Sequence, residues 1–325
     1  MTTFKEIRGT AIQSVSSDPT NPEVGQIWYN NTIGVLKGYR SLGGVWAAGG
    51  NLPATTFQSG GAGVQTANVI FGGSAPPGAP QKTAATFEYD GSTWSPSGNM
   101  NTSRTAVAGA GTQTAALGAG GYVFPGSSSA AETYNGSTWT NVTSMPTGDS
   151  YAATGTQTAA LYAALGTTLE YSAPSWSSGG ALNTPRQEGS MAGTQTAALF
   201  FGGGPQTAAS NATEEYDGSV WTAGGTMNTA RGIQIGGTGA SQTAAVAFGG
   251  AGPNEPAVSA ATELYDGTSW TTTGSLATAR RNPSKGGSQG TSSSAICVGG
   301  QEPAASNKTE EFTNPVFATQ KITTS

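Results

Sequence analysis

One short strand is written five times in this chain. "GTQTAALFFGG" at 193–203 has near-copies in "GTQTAALGAGG" (111–121), "GTQTAALYAALG" (155–166) and "SQTAAVAFGG" (241–250), and a looser copy, "GVQTANVIFGG", at 63–73. Self-similarity at a fixed period dictates a repeat architecture before any other structural reading. Tryptophans mark the frame: Trp46, Trp94, Trp139, Trp176, Trp221 and Trp270, at intervals of 48, 45, 37, 45 and 49 residues. Tyr89, Tyr134, Tyr171, Tyr216 and Tyr265 each stand five residues before a Trp, through "YDGSTW", "YNGSTW", "YSAPSW", "YDGSVW" and "YDGTSW". Asp-Gly or Asn-Gly between extended segments reads as a hairpin, with a type I′ turn and positive φ at both central residues.

Each unit reads as four strands: a small-residue strand such as "TAVAGAG", the "TAALFFGG" strand, the "TEEY" strand and the Trp strand. Four short antiparallel strands in a period of this length are the pattern of a propeller blade. Small residues suit a crowded central axis. Leu199, Phe200 and Phe201, apolar at consecutive positions, suit a sheet covered on both faces. The sixth unit is degraded, with "TSSSAICVGG", "KTEEFTN", Phe312 in place of Tyr, and no Trp of its own. Trp46 in "GGVWAAGGNLPATT" is assigned as its outer strand, which removes open sheet edges. The competing assignment gives that place to "PVFATQKITT". The expected architecture is all-β: an N-terminal β hairpin element at 1–42, a six-bladed β-propeller at 43–315, and a C-terminal tail or extra outer strand at 316–325.

Composition narrows function. Charged residues are 10% of the chain, against about 25% in ordinary soluble domains. The net charge of −5 provides no footprint for nucleic acid. No apolar run reaches the roughly 18 residues that a membrane helix needs, and the N-terminus has no signal-type apolar core. Histidine is absent, which excludes His-based triads and most zinc sites. Cys297 has no partner and reads as a small buried hydrophobe. The Gly clusters lack the Lys-Ser/Thr and helix start of a phosphate loop. The 18 carboxylates are scattered or repeat with the blades, whereas a glycosidase needs convergent ones. The expectation is a non-enzymatic protein with no cofactor and no metal.

The order small-residue strand with Arg, "GG", "EYD" and "W" resembles the kelch propeller pattern. The wording "GTQTAALxFGG" with "YDGSTW" resembles kelch-type virion proteins of marine bacteriophages such as cyanophages. The opening "DPTNPEVGQIWYNNTIGVLKGY" resembles the N-terminal element of phage structural and fibre proteins. The resemblance covers nearly the whole chain. It implies a kelch-like propeller on the particle surface, made in the host cytoplasm, with other virion proteins as partners and a tail-fibre or receptor-binding role toward host surface polysaccharide. A purely structural capsid or neck decoration is the alternative. Fibres of this kind also imply a homotrimer, although no heptad repeat here supports one.

Candidate binding residues follow from what repeats and what does not. Arg104, Arg186, Arg231 and Arg280 lie ten residues after successive Trp residues, where the other units have Thr56 and Asp149. They read either as a ring of guanidinium groups suited to anionic glycans or as partners of Glu132, Glu214, Glu263 and Glu310. The resemblance favours the second reading. The loops between second and third strands share no wording: "SAPPGAPQK", "YVFPGSSSA", "GPQTAASNA" and "AGPNEPAVS". Diverse loops on a rigid scaffold are a place for recognition, or for drift. Tyr122 and Phe124 in one of them are suited to stacking on sugar rings. In the N-terminal element, Trp28 and Tyr29 are expected to pair in a hairpin with "VLKGY". Trp28, Tyr29, Lys37 and Tyr39 are the candidates for docking to the virion, or for capping the propeller.

Overall fold

The computed structural model describes residues 12–20, 22, 25–41, 43–75, 82–149, 151–204, 209–232, 235–252, 258–284, 289–302, 304–314 and 317–322. Every helix-or-strand element among them is a strand. The chain divides into two compact units, Met1–Gly44 with Pro315–Ser325, and Val45–Asn314.

The larger unit contains five four-stranded antiparallel sheets. Sheet I is Gly60–Val64, Ala67–Phe71, Thr86–Tyr89 and Trp94–Ser97; sheet II is Ala108–Thr112, Ala115–Ala119, Ala131–Tyr134 and Trp139–Val142. Sheet III is Ala152–Gly155, Ala159–Ala164, Thr167–Ser172 and Ser175–Ser178; sheet IV is Ser190–Gly193, Ala198–Phe201, Thr213–Tyr216 and Trp221–Ala223. Sheet V is Gly236–Ser241, Ala244–Phe248, Thr262–Tyr265 and Trp270–Thr273. Sheet VI has three strands, Ser294–Val298, Thr309–Thr313 and Val45–Ala48. Its innermost position is reduced to the bridge Ser284↔Val298, and residues 285–288 lie outside the described ones. Trp46 pairs with Phe312, so the N-terminal side supplies the outer strand. The C-terminal segment does not take that place: Phe317–Lys321 pairs with Val35–Ser41 in the smaller unit.

The first strands of sheets I to V lie side by side in order, and Ser294–Val298 lies beside those of sheets V and I. The order of neighbours therefore returns to its start. Side chains stitch each sheet to the one before it, at repeating positions. Gln113 Nε2 donates to the carbonyls of Asn68 and Tyr89, and Gln65, Gln157, Gln195 and Gln242 bridge backwards in the same way. The Trp indole N–H donates to a Thr hydroxyl of the preceding sheet: Trp94 to Thr309, Trp139 to Thr86, Trp221 to Thr168, Trp270 to Thr213 and Trp46 to Thr262. Sheet II has Ala131 at the Thr position, and Trp176 turns to the Thr143 carbonyl. The core lies between neighbouring sheets. Val69 and Phe71 of sheet I pack with Ala116, Tyr134 and Trp139 of sheet II, and Ile70, Tyr89 and Trp94 pack with Ile296 and Val298 of sheet VI.

The Tyr–Trp turns differ from the expected two-residue hairpin. Tyr89 pairs with Trp94, leaving a four-residue loop in which only Gly91 has positive φ, +93°. Asp90 Oδ1 accepts the N–H groups of Ser92 and Thr93 at 2.8 and 2.7 Å. The carboxylate thus satisfies the loop's backbone, as in an Asx turn.

Four tyrosines donate to a glutamate of the preceding sheet: Tyr89 to Glu311 at 2.5 Å, Tyr134 to Glu88 at 2.6 Å, Tyr216 to Glu170 at 2.6 Å and Tyr265 to Glu215 at 2.5 Å. Burial first, and the glutamate second, push each of these hydroxyls up to about 12. A raised folded-state value favours the neutral phenol. This contribution to stability is complete below the ordinary tyrosine value of 10.0 and is lost as pH rises through about 12. Alkaline unfolding is therefore expected to set in above about pH 10, followed by circular dichroism. Tyr216→Phe should flatten the transition. A chain whose stability does not change between those pH values would contradict the assignment.

Candidate functional site

The four repeated arginines are structural. Arg104, Arg186, Arg231 and Arg280 are each at most 1% exposed. Each pairs within its own sheet: Arg104 with Glu132 at 2.9 Å, Arg186 with Glu214 at 2.7 Å, Arg231 with Glu263 at 2.6 Å, and Arg280 with Glu310. Their Nη1 groups donate to backbone carbonyls, as Arg104 does to Gly120 and Ala130. The second carboxylate oxygens accept backbone N–H groups of Asn101, Asn183, Asn228 and Ala277. Burial lowers the Arg104, Arg186 and Arg231 values, and the paired glutamates oppose it. A guanidinium group enclosed in this way presents nothing to a glycan, so the ring of ligand-binding arginines is ruled out. The two sheets without the Arg also lack the Glu. Thr56 goes with Phe87 in sheet I, and Asp149 with Leu169 in sheet III.

The docking residues of the N-terminal element also turn inward. Within the smaller unit, Gln13–Val15 pairs in parallel with Ile27–Asn30, which pairs with Val35–Ser41. Trp28 is fully buried and donates to Asp18 Oδ1 at 3.0 Å. Asn30 donates to the same oxygen, and Lys37 Nζ lies 2.5 Å from Asp18 Oδ2. Lys37, then Asn30 and Trp28, hold the Asp18 carboxyl near 2. Trp28 and Lys37 are therefore committed to their own unit and are not free to dock. Tyr39 is half-buried. Tyr29, 40% exposed, is the one of the four with a largely open ring.

Tyr122 and Phe124 fare differently. They lie on a small hairpin after the second strand of sheet II, with Tyr122 opposite Ser127 and Val123 opposite Gly126. The hairpin is anchored to the link from sheet I: Tyr122 N donates to Thr105 O at 2.8 Å, and Thr105 N to Tyr122 O at 3.2 Å. Phe124 stands at its tip, 76% exposed. The Tyr122 hydroxyl donates to Asp149 at 3.2 Å, and burial and Asp149 raise its value. Lys82, Thr105, Tyr122, Phe124, Pro125 and Gly126 line a groove of about 200 Å³. Lys82 belongs to the corresponding loop of sheet I and is placed by its bridge to Ser74. Loops between second and third strands, and the link between sheets, thus converge on one side.

Sequence reasoning did not single out Lys82. Its signal was there, as the only charge in "SAPPGAPQK". Residues 76–81, 205–208 and 253–257 of the other variable loops lie outside the described residues. Among the described residues no His, Cys, Asp or Glu group forms a metal cluster. The Cys297 thiol is buried and pushed up to about 12, the state of an inert core residue. The chain matches no protein-family model and no curated protein.

Proposed function

We propose that the larger unit is a six-bladed kelch-like β-propeller, and that the chain is a non-enzymatic protein of the phage virion surface. In this reading it acts as a tail-fibre or receptor-binding component whose loop face binds host surface glycan. One observation supports the binding role above others: Phe124 is held out in solvent, on a hairpin that bridges to Thr105 in the link between sheets I and II. An exposed aromatic ring on a loop held by a strand scaffold, beside a groove, is suited to contact with a ligand. The resemblance in the repeat wording and in the N-terminal element supports the virion assignment.

The test is binding of the full chain to host envelope polysaccharide by biolayer interferometry. Phe124→Ala is expected to weaken binding about ten-fold or more, the effect of losing an aromatic anchor. Val220→Ala is the control, because Val220 is also exposed but sits in a Tyr–Trp turn. Equal binding by wild type and Phe124→Ala would refute the site. Stable assembly with capsid or neck proteins, with no binding to any host fraction, would favour the decoration role.

A further inference from the structure

The groove beside Phe124 has a single sign of charge. Lys82 lines it, and among the described residues no carboxylate does. Lys82 has no hydrogen-bond or ion-pair partner among the described residues. That sets it apart from the other described cations of the larger unit. Four arginines are sealed in buried pairs, Lys308 lies 3.6 Å from Glu302, and Arg281 is engaged. Asp149 and Glu188 act on the Tyr122 hydroxyl, but neither lines the groove, and Asp149 is already accepting that hydroxyl's hydrogen bond. A chain of net charge −5 therefore places a cation without a partner among the described residues next to the most exposed aromatic ring of those residues, Phe124.

We infer that the groove takes an anionic saccharide, with a sugar ring stacked on Phe124 and a carboxylate or sulfate within reach of Lys82. This rests on the glycan-binding reading above and adds the class of sugar. The apolar face of a pyranose ring covers the exposed phenyl group, and the acid group gives Lys82 the partner that the protein withholds. Single-stranded nucleic acid, which also combines stacking with cations, needs a track of positive charge along its backbone. One lysine does not supply it.

The experiment uses the full chain and defined probes: alginate, polygalacturonate and a sulfated galactan, each beside its carboxyl-reduced or desulfated counterpart. Affinities are compared for wild type, Lys82→Met, Lys82→Arg and Phe124→Ala, with unfolding curves confirming that each variant is folded. At least one acidic probe is expected to bind about five-fold more tightly than its neutral counterpart, the effect of one solvent-accessible ion pair. Lys82→Met should abolish that preference while leaving residual binding, and Lys82→Arg should keep it. Phe124→Ala should weaken both members of the pair. Carboxyl reduction and desulfation separate a uronate from a sulfate ligand. Equal affinity for acidic and neutral forms, both lost in Phe124→Ala, would overturn the anionic assignment and leave the glycan site standing. Binding insensitive to Phe124→Ala would overturn both. So would failure to bind any probe, or full competition by single-stranded DNA.

Discussion

Replacing Arg231 by Thr, or Glu263 by Leu, is expected to cost about 3–5 kcal/mol when done singly, and the double variant should lose clearly less than the sum of the two. Both side chains are fully buried and lie 2.6 Å apart. Either single change leaves an uncompensated charge in a fully buried site. Removing Glu263 also strips the Asn228 N–H of its acceptor at 2.7 Å. The double change removes both charges together. The chain already contains such exchanges, since Thr56 goes with Phe87 and Asp149 with Leu169 in sheets I and III. A double-mutant cycle by denaturant unfolding measures the coupling. Losses that simply add would show that the two residues do not act as a pair. Lys308→Ala, at the exposed 3.6 Å contact with Glu302, should stay within about 0.5 kcal/mol.

Gly109→Ala should cost about 3 kcal/mol, although it adds one methyl group. A Cβ at Gly109 would stand 2.3 Å from the Gly61 carbonyl oxygen and 2.8 Å from the Gly61 nitrogen. Both are backbone atoms of the neighbouring first strand, so no side-chain rotation relieves the clash. The same substitution at Gly252, where nothing among the described residues lies within 4 Å, should be neutral or slightly stabilising through the unfolded chain. Thermal unfolding of the two variants gives the comparison. Equal stability would mean that the first strands do not pack as closely as these distances require. This contact also explains the small-residue wording of the first strands: where neighbouring backbones approach directly, only glycine fits.

The repeat made much of the fold legible. Trp and Tyr recur at fixed spacing because each sheet meets its predecessor through the same indole–Thr, phenol–Glu and Gln–carbonyl contacts. The degenerate positions follow the same chemistry. Phe312 has no hydroxyl, and the preceding sheet offers Leu264 in place of a glutamate, packed in the same cluster as Phe312. Tyr171 follows Thr133 at that position. These pairings relate residues 46 positions apart in Tyr134 with Glu88, 50 in Tyr265 with Glu215 and 222 in Tyr89 with Glu311, so a strand-by-strand reading finds the residue types and misses the partners. The pairing of Phe317–Lys321 with Val35–Ser41 left no trace, because neither segment belongs to the repeat. The arginines were visible as a set, but periodicity alone does not say whether a cation faces solvent or a buried glutamate. The internal comparison does, since Arg and Glu disappear together. In the N-terminal element, Trp28 looked like a docking residue because Asp18, ten positions away, cannot be recognised as its acceptor from spacing.

Electron cryomicroscopy of particles of the phage that the proposal implies as the source of this chain is the most direct test of the proposed role. The expected result is density for this protein on the particle surface, at a tail or fibre, with the Lys82–Phe124 groove open to solvent. Density on the capsid or neck with that groove covered by another virion protein would contradict receptor binding, and absence from the particle would contradict the virion assignment itself.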